Sequence, residues 1–255
     1  MTHDDGLARQ LAASDQHTDP AIAAGYDSAA GAAFTREQIQ RTADVLTELA
    51  DGGPAVEFAI GTGRIALPLT ARGVTVSGMD ISERMLAELR SKPGADAIDT
   101  IVGDMTSTVM RGDASLVYLV YNTIGNLRTQ AQQVACFRNA AAHLRPGGRF
   151  VIETGVPKLH QLPPGQTIRP FAWTDDHLGF DEYVDSVGQI LVSHHYRFDG
   201  DRVDRITGAF RYVWPSELDL MAQLAEMEFE SRWADWDRSE FTADSPSHVS
   251  VWRLT

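Results

Sequence analysis

The sequence predicts a doubly wound α/β fold, in which a mostly parallel sheet carries helices on both faces, with a β-rich insert late in the chain. Three observations predict it. The apolar run at residues 55–60 meets a glycine pair, a helical pattern and a second strand-like run that ends at Asp80. Further apolar runs alternate with helical patterns up to Glu153. Two alternating runs then flank Asp199 and Gly200, which indicates a β-hairpin.

The first part of the chain leads to the central strand. Residues 1–19 are polar and lack periodicity, so we expect a mobile tail. A helix-like segment begins at Asp19, a possible cap, and continues through Tyr26. Residues 35–50 predict the helix before the first strand, ended by the D-G-G-P sequence at 51–54.

Gly61 and Gly63 lie between the first strand and the helical pattern that follows it. Glycine lets the backbone approach a ligand where a Cβ would collide, and the N-terminus of the next helix presents unpaired N–H groups. Asp80 ends the second strand, where a carboxylate can accept two hydrogen bonds from a ribose diol. The stretch therefore predicts a nucleoside-bearing cofactor.

Two cofactor classes fit this stretch. Read from Gly61, the sequence G-T-G-R-I-A matches the dinucleotide fingerprint G-x-G-x-x-G/A, which is typical of NAD(P)-dependent oxidoreductases. Read from Glu57, the sequence E-F-A-I-G-T-G-R resembles the first motif of class I S-adenosylmethionine-dependent methyltransferases. Ala59 departs from that motif, because it stands where the family usually has its first glycine.

Later motifs favour the methyltransferase interpretation. V-G-D-M at residues 102–105 resembles the place where this family sets an acidic residue beside the adenine amino group and an apolar residue against the ring. L-R-P-G-G at 144–148 resembles the turn before the fifth strand, where Pro146 stops a helix and Gly147 can take a positive φ. These signals follow the family's order, so the chain resembles the small-molecule, natural-product tailoring branch of this family.

The resemblance implies a Rossmann-like, seven-stranded sheet with an antiparallel last strand. It divides the chain into the tail (1–19), a cofactor-binding core (20–156 and 211–255) and a β-rich substrate cap inserted after the fifth strand (157–210). It implies S-adenosyl-L-methionine as cofactor and S-adenosyl-L-homocysteine as product. The residues that it implies in cofactor binding are Tyr26, Glu57, Ala59, Gly61, Gly63, Arg64, Asp80, Ile81, Met85, Gly103, Asp104, Met105 and Tyr121.

Two candidate catalytic residues follow the fourth and fifth strands. Methyl transfer requires the protein to align a nucleophile and exclude water, and a base is needed only if the nucleophile must lose a proton. Asn122 can orient a substrate through hydrogen bonds but cannot act as a base. Glu153 is a candidate base or a ligand for a substrate amine, and the alternative is a structural carboxylate.

His194 and His195 lie in the predicted hairpin, where successive side chains point to opposite faces. His194 shares a face with apolar residues such as Val192, and His195 shares the other face with Ser193. If the apolar face meets the core, His194 is packed there or beside the substrate. If the polar face covers the site, His195 is the better base. Histidine titrates near neutrality, so either can serve as a general base.

Composition excludes several classes of partner. The 22 basic and 35 acidic residues give a net charge of −13, which opposes nucleic-acid binding. The single cysteine, Cys136, excludes an intramolecular disulfide, and no histidine or cysteine spacing indicates a metal site. No apolar stretch approaches the ~20 residues of a membrane span, and the polar start is not a signal peptide. We therefore expect a cytoplasmic monomer or homodimer without a membrane partner.

The predicted function is methyl transfer to an O or N atom of a small-molecule acceptor, in secondary metabolism. Two alternatives remain at this point. One is an NAD(P)-dependent oxidoreductase, and the other is a catalytically silent cofactor-binding protein on the same fold, which fold alone does not exclude.

Overall fold

The structure is a computed structural model that describes residues 35–255, so the predicted tail and Tyr26 lie outside the described residues. In chain order the described strands are β1 (Ala55–Phe58), β2 (Val76–Asp80), β3 (Asp99–Val102), β4 (Ala114–Leu119), β5 (Leu144–Gly155), β6 (Ile168–Trp173), β7 (His177–Asp185), β8 (Ile190–Asp199), β9 (Arg202–Arg211), β10 (Met227–Trp233) and β11 (Ser247–Leu254). The described α-helices are α1 (Arg36–Ala50), α2 (Ala66–Thr70), α3 (Glu83–Arg90), α4 (Gln130–His143) and α5 (Pro215–Gln223).

Seven strands form the main sheet in the order β10-β11-β5-β4-β1-β2-β3. β11 runs antiparallel to both of its neighbours, and the pairs formed by β1 to β5 are all parallel. The predicted seven-stranded sheet with an antiparallel last strand is therefore confirmed. The strand order reverses between β1 and β4, and ligands of such sheets bind outside the carboxyl ends of the strands at this point.

Local sequence signals set the ends of the helices around the sheet. Thr35 caps α1 in a reciprocal capping box with Gln38, and α1 ends at Asp51 in a left-handed conformation, as the D-G-G-P sequence predicts. Ser82 caps α3 by accepting the Met85 N–H. The first two caps set the ends of α1 before β1, and the Ser82 cap fixes the loop between β2 and α3.

The helix after the glycine turn differs from the expectation. α2 has only five residues, and the chain leaves it at Ala71 for a turn at Gly73, whose φ is +87°. The Leu67 N–H donates to the Gly63 carbonyl, and the Ala66 N–H donates to the Glu57 carboxyl group. The N–H groups of Ala66 and Leu67 are thus already bonded, so the unpaired N–H groups expected at the start of this helix are not found at these two positions.

The L-R-P-G-G sequence also differs in detail from the helix-to-strand turn expected of it. α4 ends at His143, and β5 begins at once with Leu144, which pairs with Ala114. The register then shifts, so that Leu116 pairs with Arg149. The intervening residues form a bulge in which Gly147 has a φ of +78°, and this positive φ was predicted.

Two hydrophobic clusters fill the space between the sheet and its helices. One contains residues of α1, α2 and α3, and the other contains residues of α4 and α5. In the second, the Phe137 ring contacts Phe150 and Trp252 edge to face, with centroids 5.0 and 5.3 Å apart. The helices therefore cover both faces of the sheet, as predicted for a doubly wound fold.

β6 to β9 form a second, antiparallel sheet in the order β6-β7-β8-β9. The predicted hairpin is confirmed, since β8 and β9 pair throughout and turn at Gly200 with a φ of +57°. Strands β6 and β7 were not predicted from the sequence. Gly179 interrupts the alternation of β7, and the structure explains it, because a Cβ there would lie 2.3 Å from the Phe171 ring.

The end of β9 ties this second sheet to the core. The buried guanidinium of Arg211 donates to Glu217 Oε1 on α5 at 2.7 Å and to Gln189 Oε1 at 2.9 Å, and it also bonds Gln133 on α4. Strand β9, helices α4 and α5 and the turn between β7 and β8 thus meet at one side chain. The division of the chain at residues 157–210 stays a prediction.

Candidate active site

The glycine turn after β1 takes three positive φ values, at Ala59 (+53°), Gly61 (+56°) and Gly63 (+77°). Ala59 adopts a left-handed conformation, which costs an alanine about 1–2 kcal/mol and which glycine adopts without that cost. Gly63 has a packing role, because a Cβ there would lie 2.2 Å from Leu89 Cδ1. A Cβ at Gly61 would meet no atom beyond its two chain neighbours nearer than 3.9 Å, so the backbone there stays open.

Asp80 is buried at the end of β2, with 8% of its surface exposed. Its Oδ2 accepts the Gly61 N–H at 2.9 Å, and its Oδ1 accepts the Ser82 N–H at 2.8 Å. Each carboxylate oxygen has a second lone pair, so Asp80 can also accept hydrogen bonds from a diol. The local structure therefore fits the ribose role predicted for this residue.

A cavity of about 370 Å³ lies over the carboxyl ends of β1, β2 and β3. It brings together six predicted cofactor residues, namely Ala59, Asp80, Ile81, Gly103, Asp104 and Met105. Ile81 is 67% exposed beside Asp80, which leaves an apolar surface next to a carboxylate. The remaining wall comes from Thr123, Asn126, Leu127, Arg128, Gln132, Gly208, Ala209 and Phe210. Polar acceptors beside apolar surface suit a nucleoside.

A second cavity, of about 40 Å³, shares Ala59 and Thr123 with the first. It lies on the other side of the glycine turn and is lined by four further predicted residues, Glu57, Gly61, Arg64 and Tyr121. Charged and aromatic groups of this kind suit the amino-acid part of a cofactor. Gly63 and Met85 line neither of these two cavities, and their predicted contact with the cofactor stays a prediction.

Glu57 is almost fully buried beneath the glycine turn. The Tyr118 hydroxyl donates to its Oε2 at 2.8 Å. Burial raises the pKa of Glu57 to about 8, although the Tyr118 hydrogen bond acts in the opposite direction. The carboxyl group is therefore protonated in a large part of the molecules at neutral pH.

Arg64 and Tyr121 face each other across the smaller cavity. The Arg64 guanidinium carbon lies 5.5 Å from the centroid of the Tyr121 ring, within the range of a cation–π contact. Tyr121 has a φ of +59° and Asn122 a φ of +57°, so the chain makes a left-handed turn immediately after β4. The turn directs the residues that follow β4 toward the glycine turn.

The structure gives Asn122 and Glu153 contacts with the backbone at this turn. Asn122 Oδ1 accepts the Thr154 hydroxyl at 3.0 Å and the Gly155 N–H. Glu153 Oε2 accepts the Tyr121 N–H at 3.2 Å. Burial raises the pKa of Glu153, and the hydrogen bond from the Tyr121 N–H opposes this rise. Neither Asn122 nor Glu153 lines the two cavities, so their catalytic roles stay predictions.

The two histidines of β8 lie on opposite faces of the second sheet, as predicted. His194 is 4% exposed, and its Nε2 lies 3.3 Å from Glu182 Oε2. The strand register puts His194 opposite Thr207 and Val192 opposite Ala209, so His194 shares a buried face with Ala209, which lines the larger cavity. The apolar face is thus the buried one.

His195 lies on the other, partly exposed face. Its ring stacks on that of His177, with Nδ1 3.1 Å from His177 Nε2. Burial, and after it the neighbouring charge of His177, lowers the pKa of His195 to about 4. A group with so low a pKa is a weak base. Among the β9 residues that line the larger cavity, Ala209 shares the face of His194, whereas Gly208 and Phe210 share the face of His195. Neither histidine lines the two cavities, so their catalytic roles stay predictions.

Sequence reasoning missed the lining residues that come from β9. Gly208, Ala209 and Phe210 cover the cavity because β9 packs on the 3-10 turn Thr123–Asn126. A Cβ on Gly125 would lie 3.4 Å from the Arg211 carbonyl oxygen, so the contact is close. No local pattern encodes this long-range contact. Thr123 had a usable signal, because it follows the fourth strand.

The fold and the site define an α/β enzyme that binds a nucleoside cofactor at the carboxyl edge of its sheet. Residues 55–148 match a family model described as a methyltransferase domain. The chain is 32% identical to the CcbJ methyltransferase of Streptomyces caelestis, with a TM-score of 0.83 over 94% of this chain and 99% of the other. The chain thus belongs to the S-adenosylmethionine-dependent methyltransferases.

Two further proteins are similar to this chain. The cypemycin N-terminal methyltransferase of a Streptomyces species is 22% identical over 79% of this chain and 83% of its own. The structure of S-adenosylmethionine-bound CalS10, an amino pentose methyltransferase from Micromonospora echinaspora, shares the fold with a TM-score of 0.69 at 19% identity, over 90% of this chain and 96% of its own. The oxidoreductase alternative is not supported. Its fingerprint match is explained by a methyltransferase glycine turn.

In residues 35–255 no helix is long and apolar enough to cross a membrane. Within the same range, no three His, Cys, Asp or Glu side chains are grouped to hold a metal ion. Cys136 is buried, and burial raises the pKa of its thiol.

Proposed function

We propose that this methyltransferase methylates an amine nitrogen of a small-molecule acceptor of the natural-product type. Two relatives support this choice, because one is named as an N-terminal methyltransferase and another as an amino pentose methyltransferase. The net charge of −13 also supports it, since an acidic protein attracts cationic amines and repels polyanions. Nucleic acid is therefore not proposed as a substrate, and we propose a monomer or homodimer in the cytoplasm.

The observation that carries the proposal is the imidazole–carboxylate pair of His194 and Glu182. Both side chains lie on the buried face of the second sheet, which Ala209 at the wall of the larger cavity shares, and neither side chain lines that cavity itself. The ring nitrogens of His194 make no hydrogen bond with the described residues. A buried imidazole of this kind is free to accept a proton, and a carboxylate 3.3 Å away stabilises the imidazolium that forms.

Methyl transfer to an amine requires removal of a proton from the nitrogen and exclusion of water from the site. When bound, S-adenosylmethionine supplies an electrophilic methyl carbon whose bond to sulfur breaks as the bond to nitrogen forms, and the electron pair stays on the neutral thioether. His194 accepts the proton that the amine must lose, and Glu182 holds the charge. β9 and the 3-10 turn cover the cavity and exclude water from it.

The cofactor residues divide between the two cavities. We assign the ribose to Asp80, and the adenine to Asp104 and Met105 with Ile81 and Gly103 nearby. We assign the amino-acid part to the smaller cavity, which is lined by Glu57, Gly61, Arg64 and Tyr121. The shared position of Ala59 then lies between the two parts.

The test is a screen of amines against hydroxyl analogues of the same size, measured by release of S-adenosylhomocysteine. We expect turnover with amines, including amino sugars, and little with the alcohols. His194→Gln should lower kcat about 100-fold or more, as expected for removal of a general base, whereas His195→Gln is the matched control and should change it less than about threefold.

Two results would contradict the proposal. One is methylation of alcohols in preference to amines, which would reject the nitrogen acceptor. The other is a larger loss in His195→Gln than in His194→Gln. As a control for folding, the binding of S-adenosylhomocysteine to each variant is to be measured by calorimetry, and both variants should bind it.

A further inference from the structure

The backbone immediately after β4 adopts a conformation that its residues do not favour. Tyr121 and Asn122 both have positive φ values, +59° and +57°. The left-handed region costs a residue with a Cβ roughly 1–2 kcal/mol, and asparagine tolerates it better than tyrosine does. Two successive residues of this kind persist only where the surrounding structure holds them, and such turns cluster at functional sites.

The carboxyl end of β5 holds this turn at four points. The Glu153 side chain accepts the Tyr121 N–H at 3.2 Å, and the Glu153 carbonyl accepts the Asn122 N–H at 3.2 Å. Asn122 Oδ1 in turn accepts the Thr154 hydroxyl at 3.0 Å and the Gly155 N–H. Three successive residues of β5, 153–155, are thus hydrogen-bonded to the two residues that follow the neighbouring strand β4, Tyr121 and Asn122.

The turn determines where two cavity residues lie. Tyr121 lines the smaller cavity with its ring against Arg64, and Thr123 lines both cavities. Asn122 stands between them and lines neither cavity. Its side-chain oxygen already has two donors, which is the usual capacity of an amide oxygen.

We propose that Asn122, Glu153 and Thr154 are positioning residues for the cofactor, which act by holding Tyr121 and Thr123 against its binding site. Asn122 acts through its side-chain oxygen and does not orient the acceptor. Glu153 acts as a hydrogen-bond acceptor for the backbone and is not the base. The inference goes beyond the proposed function, because it holds for either an amine or a hydroxyl acceptor.

The test compares variants that keep or lose the side-chain oxygen, with S-adenosylhomocysteine as the probe in calorimetry. Asn122→Asp keeps an acceptor oxygen and removes the amide N–H donors, and aspartate also tolerates a positive φ. We expect its Kd to stay within about threefold of the parent protein. Asn122→Gly fits the backbone but lacks the oxygen, and its Kd should rise about tenfold, the equivalent of one ordinary hydrogen bond.

Glu153 offers an independent pair. Glu153→Gln can still accept the Tyr121 N–H, so its Kd should match that of the parent, whereas Glu153→Ala should show a rise of about tenfold. Thr154→Ser and Thr154→Val make a third pair, in which serine keeps the hydroxyl and valine keeps only the shape. The melting temperature of each variant is measured in parallel.

Three outcomes would overturn the proposal. Equal Kd values in Asn122→Gly and the parent, with only a lower melting temperature, would show a merely structural turn. A weakened Asn122→Asp beside a weakened Asn122→Gly would show that the amide N–H group matters and the oxygen alone does not suffice. Unchanged binding in Glu153→Ala would remove Glu153 from the set.

Discussion

Replacing Glu57 by glutamine should remove a pH dependence of stability that few single residues produce. Glu57 is 4% exposed beneath the glycine turn, with the Tyr118 hydroxyl as its hydrogen-bond donor. Burial raises its pKa from the ordinary 4.5 to about 8, with the Tyr118 hydrogen bond acting against this rise. Glutamine keeps an oxygen for Tyr118 and cannot ionise, so Glu57→Gln resembles the protonated form at every pH.

The sign and size of the effect follow from linkage. Between pH 4.5 and pH 8 the folded protein keeps a proton on Glu57 that the unfolded chain has lost, so folding binds a proton. The stability that Glu57 contributes is complete below pH 4.5 and falls as the pH rises through about 8. At up to about 1.36 kcal/mol per pH unit, the loss between pH 5 and pH 8 is about 3 kcal/mol.

The assay is urea unfolding of the parent protein and of Glu57→Gln at several values between pH 5 and pH 8. The difference between the two free energies of unfolding isolates Glu57, because the other titrating groups are common to both. We expect the free energy of unfolding of Glu57→Gln, minus that of the parent, to increase steadily as the pH rises. Glu228→Gln, which changes an exposed glutamate on the edge strand β10, is the matched control and should give a flat difference. If the difference for Glu57→Gln stays constant or decreases as the pH rises, the reasoning is refuted.

Two further changes test the site and the attachment of the second sheet. Asp80→Asn replaces an acceptor oxygen by an N–H₂ group, which then faces the N–H donor of Gly61 or Ser82. The Kd for S-adenosylhomocysteine, measured by calorimetry, should therefore rise about 10- to 100-fold. Asp96→Asn changes an exposed aspartate and should leave this Kd unchanged. Arg211→Leu leaves Glu217 without its buried partner and should lower the free energy of unfolding by about 3–5 kcal/mol in urea. The double variant Arg211→Leu, Glu217→Leu should recover part of the lost free energy of unfolding. If the single and the double variant lose the same amount, the unpaired charge of Glu217 is not the cause.

The sheet and several residues of the larger cavity were accessible from the sequence because each depends on local patterns. Apolar runs separated by helical patterns predict parallel strands, and the carboxyl ends of parallel strands meet at one edge. Asp80 and Asp104 each follow such a strand, and the structure duly brings both to one cavity. The short length of α2 was not predicted: the helix ends at Thr70, and a turn with positive φ at Gly73 follows it.

The choice between His194 and His195 shows why the acceptor half was not accessible. Alternation along β8 puts the two rings on opposite faces, and it leaves open which face is buried. Which face is buried depends on a segment far earlier in the chain. The 3-10 turn Thr123–Asn126 follows β4, and β9 packs on this turn. The turn itself is held by β5, whose Glu153 and Thr154 bond to Tyr121 and Asn122. Contacts between distant segments therefore decide which face of β8 is buried, and periodicity within one strand contains no information about them.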